Sequence, residues 1–387
     1  MNILFVTSRN AYNTCGELRL IKNRAEVLKR EYGFDTEFVV FKTKKVLKKP
    51  QEQIENDGFK LFTYSMPNYL GALASLKDYV VERLKAKHFD LVICSGIQIM
   101  PVVGAIKKYN KNQKVVADIH GTENELIEFN PSNIIKRSMR HAFYHYGNYV
   151  GKKYLNMFDG YLCVSHALRE HVIEKYKVTN DNFFIVPCAI DFKGIDKENA
   201  MVNRTEIRNK YGIREDEIVF IYSGGTSPWQ CIDESVAIYH KLKREFDGKK
   251  TRLCLFSGNL DALKKYEAED VVIDSLPAAL VPKTLNAGDY AFMLRGNFVT
   301  NNVAYPNKFL EYIAGGLNVI ATPHVHDVRD QILEYGVGII VDLDGSGIDK
   351  IKQSYHEYLS DAASREHLLN NTCFTHTLKP LVEFVNS

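Results

Sequence analysis

The chain has 387 residues, of which 45 % are hydrophobic and 25 % are charged, and its formal net charge is +3. This length exceeds that of one ordinary hydrophobic core and predicts two domains, while the mild charge gives no indication of nucleic acid as a partner. The seven scattered cysteines include no CxxC pair, which indicates a reducing, cytoplasmic environment and argues against a zinc site.

The segment Met1 to Thr7 is expected to form a strand and not a signal peptide, because it has neither a basic leader nor a long apolar core. No window of the sequence approaches the roughly 20 apolar residues of a membrane span. Any contact with a membrane is therefore expected to be peripheral, at its inner face.

Short apolar runs alternate with helical patterns through the first half of the chain. The predicted strands are continuous apolar runs, typical of strands covered on both faces, and they span residues 3–7, 37–41, 61–64, 91–94, 115–119, 160–164 and 183–186. Predicted helices between them include residues 17–32, 72–87 and 167–176. This βαβ alternation predicts a parallel, doubly wound sheet.

Two basic regions lie in this half of the chain. The first is a lysine cluster after the second strand, and it contains Lys42, Lys44, Lys45, Lys48 and Lys49. The second, residues 134–154, mixes basic with aromatic residues, namely Lys136, Arg137, Arg140, Lys152 and Lys153 with Phe143, Tyr144, Tyr146 and Tyr149. Taken alone, the second region favours a helix with its aromatic face in the core and its charges in water. The two regions together leave a surface for anionic lipid equally open.

The segment Asp118-Ile119-His120-Gly121 closes the fifth predicted strand. A lone histidine is usually structural, but a position at the end of a parallel strand favours a role in a site. Both interpretations stay open for His120 and Gly121. Glu123 and Glu125 follow, and either is a candidate to approach an acceptor hydroxyl.

The strand and helix pattern pauses in a polar stretch between Cys188 and Arg204 and then restarts. The strands predicted after it span residues 218–222, 253–256, 271–273, 290–294, 319–321 and 338–341, and the helices include 232–246, 308–314 and 328–334. The simplest reading is two Rossmann-like domains, residues 1–190 and 191–370, with a helical segment, 371–387, that packs back on the first. Two such domains would leave a cleft between their sheets, with a nucleotide on one side and an acceptor on the other.

A glycine-rich loop, Ser223-Gly224-Gly225-Thr226, follows the first strand of the second half. Its glycines allow close approach of a ligand, and its amides can face a phosphate. The loop does not match GxGxxG, so a dinucleotide site is poorly supported, and a plain βα turn is the alternative. Trp229 and Gln230 lie in the same loop; the tryptophan could cover a base or pack within the loop.

The stretch from Arg295 to Gly316 is the most informative part of the chain. Arg295 ends an apolar strand whose neighbourhood in sequence offers no acidic partner, which favours a phosphate as its ligand. Lys308 opens a helix, where a bound anion would relieve its repulsion from the positive end of the helix dipole, although a lysine in solvent is as good an interpretation. Glu311 lies one turn further, where it would suit a ribose diol or form an ordinary ion pair with Lys308.

These motifs, in this order, resemble those of the GT-B glycosyltransferases, and within them the retaining glycosyltransferase family 4 of bacterial surface polysaccharide pathways. The resemblance covers nearly the whole chain. It rests on Asp118 to Gly121, Val164-Ser165, Val186-Pro187-Cys188-Ala189-Ile190-Asp191, Tyr222 to Gly224 and, most specifically, Asn302 to Ile320.

The resemblance implies a site that needs no metal and no cofactor. Glu311 would hold the nucleotide ribose, His120 and Gly121 would lie beside the transferred sugar, and Arg295 and Lys308 would stabilise the departing diphosphate. Further donor contacts are expected from Gly224, Gly225, Thr226, Asn302 and Pro306. The donor would be a nucleoside diphosphate sugar, with a UDP-sugar favoured, and the acceptor a saccharide or a polyprenyl-linked saccharide.

The chain departs from the family pattern in two places. Val303 stands where the family has the first of two glutamates, so recognition of the sugar hydroxyls would fall to Asn301, Asn302 or loop amides. The loop from Gly224 to Gln230 has no basic residue, so Arg295 and Lys308 are the expected replacements. Two other functions therefore stay open, namely a UDP-sugar 2-epimerase-like enzyme and a non-catalytic GT-B binding module.

Overall fold

The computed structural model describes residues 1–10, 16–42, 53–56, 59–65, 69–189, 199–246, 248–351 and 362–387. Lys44, Lys45, Lys48 and Lys49 of the first basic region, and Ile190 and Asp191 of the resemblance motif, lie outside these ranges. The chain divides into two compact units, one formed by Met1–Cys188 with Phe374–Ser387 and the other by Ala189–Cys373.

The first unit is built on an eight-stranded sheet, as far as it is described, in the order β3-β4-β2-β1-β5-β6-β7-β8. All neighbouring strands are parallel except β3, which runs antiparallel to β4 at the edge. The strands are β1 (Asn2–Asn10), β2 (Asp35–Lys42), β3 (Gln53–Asn56), β4 (Phe59–Ser65), β5 (Leu91–Ser95), β6 (Val115–Ile119), β7 (Gly160–Cys163) and β8 (Phe183–Ile185).

The helices of this unit lie between these strands along the chain. They are α1 (Gly16–Tyr32), α2 (Tyr69–Ala86), α3 (Val102–Tyr109), α4 (Glu125–Glu128), α5 (Ile134–Tyr154) and α6 (His166–Tyr176). Strands β5, β6 and β7 are buried at every position, because helices cover both faces of a parallel sheet.

The second unit has a fully parallel sheet in the order β11-β10-β9-β12-β13-β14 within its described residues. Its strands are β9 (Ile218–Ser223), β10 (Thr251–Phe256), β11 (Val271–Asp274), β12 (Tyr290–Met293), β13 (Asn318–Ala321) and β14 (Gly338–Ile340). Its helices are α7 (Ala200–Lys210), α8 (Ile232–Glu245), α9 (Val281–Leu285), α10 (Val299–Asn302), α11 (Asn307–Ala314), α12 (His326–Tyr335) and α13 (Ala362–Thr372).

An aromatic cluster fills the core of the second unit. The ring of Phe220 stacks on Tyr290 at 5.3 Å and on Phe292 at 5.8 Å, and it meets Tyr239 edge-on at 5.7 Å. These contacts hold β9 and β12 side by side. The loops that leave the carboxyl ends of these two strands therefore start next to each other.

The predicted pair of Rossmann-like domains is confirmed. The expectation of an irregular stretch up to Arg204 is wrong from Ala200 onward, because helix α7 begins there. There α7 carries a fully buried arginine, Arg208, which donates to Asp289 at 3.1 Å and to the carbonyl of Ala287 at 3.0 Å. Asp289 also accepts from the amide of Val219 at 2.8 Å. The helix is polar in sequence, and part of its attachment to the core is this ion pair.

The last described segment, α14 (Phe374–Thr377) and α15 (Lys379–Asn386), belongs to the first unit. Leu381, Val382 and Val385 are buried there, and Lys114 Nζ donates to the carbonyl of Phe384 at 2.9 Å. In the described ranges, no helix combines the length and the apolar content that crossing a membrane requires.

Candidate functional site

Arg295 lies just beyond β12 and is buried, with 4 % of its surface exposed. Its backbone amide donates to Thr322 Oγ1 at 2.9 Å, and its guanidinium donates to the carbonyl of Leu294 at 2.7 Å. Among the described residues, no carboxylate forms an ion pair with it. Burial lowers the pKa of the guanidinium. Because an uncompensated buried charge is costly, the side chain is suited to an anionic ligand.

Lys308 is the second residue of α11 and is held by neutral oxygens. Its Nζ donates to Gln230 Oε1 at 2.8 Å and to the Tyr222 hydroxyl at 3.3 Å, and it lies 4.5 Å from the centre of the Tyr222 ring. Burial and the nearby charge of Arg295 hold the pKa of Lys308 well below its usual range, and Glu311 opposes this shift. The two predicted cations are thus close enough for the charge of Arg295 to act on Lys308.

The glycine loop closes on this lysine. Gly224 has a φ of +148°, and a Cβ placed on it would lie 2.6 Å from Lys308 Nζ. The next carbonyl, that of Gly225, accepts from the Tyr222 hydroxyl. Thr226 Oγ1 accepts from the Asn259 amide at 3.0 Å. The first glycine is therefore required both by its backbone conformation and by the approach of the lysine.

The predicted ribose-binding residue, Glu311, is half-buried on α11, one turn beyond Lys308 and close enough to raise its pKa. The neighbouring Tyr312 hydroxyl accepts from the amide of Ser223 at 2.9 Å and so ties α11 to the end of β9. Pro306 precedes α11 at its N-cap position. Glu311 therefore lies on the same short helix as Lys308, and Pro306 lies at the start of that helix.

Asn302 ends α10, and its side chain is directed towards its own neighbours. With the amide oxygen and nitrogen interchanged, it donates to the carbonyls of Phe298 at 3.1 Å and His324 at 2.9 Å. Val303, at the position of the missing glutamate, is buried with 4 % exposure. The buried amide of Asn301 donates to the carbonyl of Gly296 at 2.8 Å. The loop that follows Arg295 is thus held by two asparagines.

His120 lies in the first unit, directly after β6. Its Nε2 is 2.7 Å from Asp118 Oδ2, and that oxygen also accepts from Ser95 Oγ at 2.7 Å. Burial raises the pKa of Asp118, but its attraction to His120 and Arg24 outweighs burial, so the pKa lies below its usual range. Asp118 is therefore an anion that orients the imidazole.

The other nitrogen of the ring, His120 Nδ1, is buried and has no hydrogen-bond partner in the described part of the chain. The nearest carboxylate oxygen, Glu17 Oε1, lies 3.9 Å away. Gly121 next to it is exposed, and no heavy atom would lie within 4 Å of a Cβ built there. His120 Nδ1 is thus a polar atom without a hydrogen-bond partner among the described residues, and the exposed backbone of Gly121 lies next to it in the chain.

Arg24 is a site residue that the sequence reasoning missed. It is 1 % exposed, and it donates to Asp118 Oδ1 at 2.7 Å and to the carbonyl of Val186 at 2.7 Å. A signal was available, because Arg24 lies on the same helical stripe as Ile21, Ala25 and Leu28, where every other residue is apolar. An arginine on the buried stripe of a helix requires a buried anion.

Glu123 has a partner network of its own. Its carboxylate accepts from the Tyr176 hydroxyl and forms an ion pair with Lys175 at 3.3 Å. Both partners are on α6, so the loop after His120 is fixed to that helix. This arrangement favours a structural role for Glu123 over the expected approach to an acceptor.

Gln230 and Tyr222 are the other residues that sequence reasoning did not place in the site. Gln230 occupies the loop where basic residues were expected, and it binds Lys308 instead of a ligand of its own. Cys231 next to it has a φ of +51°, an uncommon conformation for a residue with a side chain. The turn that presents Gln230 is therefore strained, which nothing in the local sequence indicates.

Comparison with protein families gives a match in the first unit. Residues 19–193 match the model of the family described as Glycosyltransferase Family 4. No curated protein sequence matches this chain.

Several solved structures are similar over the full length. HepE from Anabaena, in complex with UDP, has a TM-score of 0.73 at 14 % identity, with all of both chains covered. Sucrose-phosphate synthase from Thermosynechococcus elongatus has a TM-score of 0.72 at 14 % identity, also with all of both chains covered. WaaG, a glycosyltransferase involved in lipopolysaccharide biosynthesis, has a TM-score of 0.63 at 15 % identity, with 98 % of each chain covered.

Proposed function

We propose that this chain is a GT-B glycosyltransferase of family 4 type, which transfers a sugar from a nucleoside diphosphate donor to a saccharide or polyprenyl-linked acceptor. The favoured donor is a UDP-sugar. The reaction retains the configuration of the anomeric carbon and serves the synthesis of a surface polysaccharide or a related glycan. The enzyme works in the cytoplasm, without a metal or a cofactor.

The observation that carries this proposal is the pair of cations at the carboxyl edge of the second sheet. The charge of Arg295 acts on Lys308, and in the described ranges neither side chain forms an ion pair with a carboxylate. A diphosphate would supply the missing negative charge, since arginine binds phosphate through its planar fork and lysine as a point charge. Gly224 lets the backbone of the loop approach the same place.

The similarity to proteins with bound nucleotides supports UDP as the nucleotide. HepE holds UDP, and in a second structure UDP and glucose. The E. coli trehalose-6-phosphate structure holds UDP-2-fluoro glucose. In this chain, Glu311 would bind the ribose hydroxyls, and the amides near Gly225 and Thr226 would face the phosphates.

The proposed chemistry is a substitution on one face of the sugar. The bond between the anomeric carbon and the diphosphate oxygen breaks, and the acceptor oxygen bonds to the same face of that carbon. The acceptor proton passes to the departing diphosphate. Arg295 and Lys308 stabilise the charge that develops on the leaving group, so neither a side-chain nucleophile nor a metal ion is required. His120 and Gly121 line the pocket of the transferred sugar.

The role in surface polysaccharide synthesis is supported by similarity to WaaG, whose own description concerns lipopolysaccharide. A lipid-linked acceptor would bring the chain to the inner face of a membrane. The glycan, the linkage and the sugar are to be read from product analysis after the donor is known.

The first experiment is a thermal-shift screen of the purified protein with UDP, GDP, ADP and CMP, and with their sugar derivatives. A ligand that binds the folded state raises its stability in proportion to the logarithm of ligand concentration over Kd. We expect a selective response to UDP and UDP-sugars. Lys308→Met and Glu311→Ala should each weaken UDP binding by about 10- to 100-fold, the loss of one or two charge-assisted interactions.

The matched control is Lys283→Met, which removes a half-buried lysine of the same unit that pairs with Glu206. It should bind UDP as the unchanged protein does. Release of UDP from a UDP-sugar only when a saccharide acceptor is present would support transfer. Altered sugar without an acceptor would indicate the epimerase-like enzyme, and binding without any turnover would indicate the binding module. A protein that responds to none of the nucleotides would refute the donor site.

A further inference from the structure

Arg24 and His120 share one carboxylate, that of Asp118. The guanidinium of Arg24 donates to Asp118 Oδ1 at 2.7 Å, and His120 Nε2 lies 2.7 Å from Asp118 Oδ2. Arg24 Nη1 is itself 3.5 Å from His120 Nε2. The side chains of Arg24 and Asp118 are each 1 % exposed, and that of His120 is 15 % exposed. Because solvent screens buried charges only weakly, the charge of Arg24 acts on the imidazole.

These distances assign the ring hydrogen of His120 to one nitrogen. The ionised carboxylate of Asp118 can only accept, so a ring nitrogen at 2.7 Å from it must donate. The hydrogen therefore lies on Nε2, whether the ring is neutral or charged. The other nitrogen, Nδ1, accepts a hydrogen bond if the ring is neutral and donates one if the ring is charged. The charge of the ring thus decides which ligand groups Nδ1 can bind.

The charges around the ring are balanced without a charge on the ring itself. Arg24 forms an ion pair with Asp118. Glu17, whose Oε1 lies 3.9 Å from His120 Nδ1, forms an ion pair with Arg9. A proton on Nδ1 would therefore give this group of side chains a net positive charge. Burial disfavours a charge that is not compensated.

Neutral groups surround the ion pair of Arg24 and Asp118. The centre of the Phe374 ring lies 6.0 Å from Arg24 Cζ. Burial raises the pKa of the thiols of Cys163 and Cys188, which both interact with the ion pair, so neither thiol adds a negative charge. Among the described residues, Asp118 is the one carboxylate that forms an ion pair with Arg24. Its negative charge is therefore committed to the arginine.

We propose that Arg24 is a positioning residue that keeps the His120 ring neutral, so that Nδ1 accepts a hydrogen bond from a hydroxyl group of the transferred sugar. This inference rests on the proposed function, in which His120 lines the pocket of that sugar. A charged ring would instead donate from Nδ1 and would favour an anionic group of the ligand. Arg24 thus selects a hydroxyl over an anion without touching the ligand.

The same geometry disfavours His120 as a general base. An Asp–His pair that removes a proton from a nucleophile depends on a carboxylate that stabilises the imidazolium. Here that carboxylate is shared with Arg24, whose own charge at 3.5 Å repels an imidazolium. This agrees with the proposed substitution, in which the acceptor proton passes to the departing diphosphate.

The first test measures the state of the ring and needs no substrate. In protein labelled with nitrogen-15 at histidine, the NMR signals of the two ring nitrogens distinguish neutral from charged rings, and His120→Gln identifies the signals of His120. At neutral pH we expect a neutral ring with its hydrogen on Nε2. Arg24→Met should convert it to a charged ring, because Asp118 then has no cation and stabilises the imidazolium.

Three further variants separate the charge of Arg24 from its packing. Arg24→Gln can still donate to Asp118 but carries no charge, and it should give a charged ring as Arg24→Met does. Arg24→Lys keeps a cation and should keep the ring neutral. Arg24→Met with Asp118→Asn removes both charges, and the ring should again be neutral. Thermal unfolding should show that this double variant is more stable than Arg24→Met alone, because no buried charge is left unpaired.

The second test measures the hydrogen bond to the sugar. Calorimetry compares the nucleotide sugar selected by the thermal-shift screen with analogues in which fluorine, which cannot donate, replaces one hydroxyl at a time. In the unchanged protein, one analogue should bind at least about tenfold more weakly, because Nδ1 loses its donor. Arg24→Gln should remove most of this difference in Kd, since a charged Nδ1 does not need a donor. Arg24→Lys should retain it.

The proposal is supported by a neutral ring that becomes charged in Arg24→Gln and Arg24→Met, together with loss of the fluorine effect in Arg24→Gln. A charged ring or a hydrogen on Nδ1 in the unchanged protein would overturn it. The same ring state in every variant, or equal Kd values for all analogues, would overturn it as well. A protein that binds no nucleotide sugar would refute the proposed function instead, and the NMR result would still decide whether Arg24 sets the state of the ring.

Discussion

At the scale of single residues, the central feature is a lysine held by neutral groups. The partners of Lys308 Nζ are the oxygens of Gln230 and Tyr222, and Arg295 adds a second positive charge nearby. These surroundings disfavour the charged form of the lysine, which is why its pKa is lowered. A bound diphosphate would reverse this preference.

Nucleotide binding should therefore be coupled to proton uptake by Lys308. As pH rises through the lowered pKa of the free site, the empty pocket loses a charge that the occupied pocket keeps, so UDP affinity should fall. Each unit of difference between the two pKa values corresponds to about a tenfold change in affinity. Titration calorimetry in buffers of different ionisation enthalpy should measure the uptake across the neutral and alkaline range.

The control for this prediction is Lys308→Met, in which the proton uptake should disappear. Proton uptake of the same size in the methionine variant would assign it to another group. Lys283→Met, which changes a lysine paired with Glu206, should leave the uptake unchanged.

Asp118 should contribute a pH-dependent part of the free energy of unfolding. Its pKa is lowered in the folded state, whereas an unfolded aspartate titrates near about 3.9. The unfolded state therefore binds the proton first as pH falls, so the contribution is present above about pH 4 and is lost below it. Asp118→Asn should reduce stability at neutral pH by about 3 kcal/mol, because Arg24 is left buried without its partner.

Urea unfolding at several pH values would check this prediction. The difference between Asp118→Asn and the unchanged protein should shrink as the pH is lowered into the acid range. Asp330→Asn, at an exposed position, should show only a small difference at any pH. A difference for Asp118→Asn that stays constant with pH would show that the carboxylate charge is not its cause.

At the scale of elements, Gly224 links a loop to a helix. Its φ of +148° and the nearness of Lys308 mean that Gly224→Ala must move either the loop or the lysine. We expect UDP affinity to fall by at least about tenfold, with a stability loss of about 1 kcal/mol. Calorimetry with UDP and thermal unfolding would measure the two effects separately.

Gly212→Ala is the matched control for Gly224→Ala. Gly212 has a φ of +63° and no heavy atom would lie within 4 Å of its Cβ, so the variant has backbone strain without a collision. It should lose a similar amount of stability and bind UDP normally. Equal loss of UDP affinity in both variants would contradict the role given to the contact with Lys308.

Most strands could be predicted from the sequence, because each central strand of a doubly wound sheet is a short run of apolar residues. Strand β3, Gln53–Asn56, could not, since it is a polar edge strand that pairs on one side with β4. Helix α7 could not either, because Arg208 attaches it to the core and reads in sequence as a surface residue. Elements held by polar contacts leave no apolar period to detect.

The site could be predicted in part for a similar reason. Arg295, Lys308 and Gly224 stand at strand ends and a helix start, where chain position alone indicates a ligand. Gln230 and Arg24 act through other side chains, over separations of 78 and 94 residues in sequence. Such pairs depend on tertiary contacts, which a single sequence does not contain.

At the scale of the whole molecule, the segment Phe374–Ser387 belongs to the first unit although the second unit precedes it in the chain. Leu378 and Leu381 are fully buried there, the ring of Phe384 lies 5.3 Å from that of Phe184, and the Tyr32 hydroxyl donates to the carbonyl of Thr375 at 2.6 Å. The segment is thus part of the core of the first unit.

Removal of residues 374–387 should destabilise the first unit more than the second. Loss of two buried leucines alone removes about 3 to 6 kcal/mol of apolar burial. Hydrogen exchange followed by mass spectrometry would locate the effect, with faster exchange in β6, β7 and β8 and unchanged exchange in β9 and β12. Equal acceleration in both units would show that the two lose stability together.

The return of the chain to its first unit also sets an order for folding during protein synthesis. Translation produces Ala189–Cys373 in full before it reaches the residues that complete the first unit. The second unit can therefore finish folding on the ribosome while the first, although made earlier, still exposes the surface that α14 and α15 will cover. The part of the chain that is synthesised first is the part that needs protection from aggregation for longest.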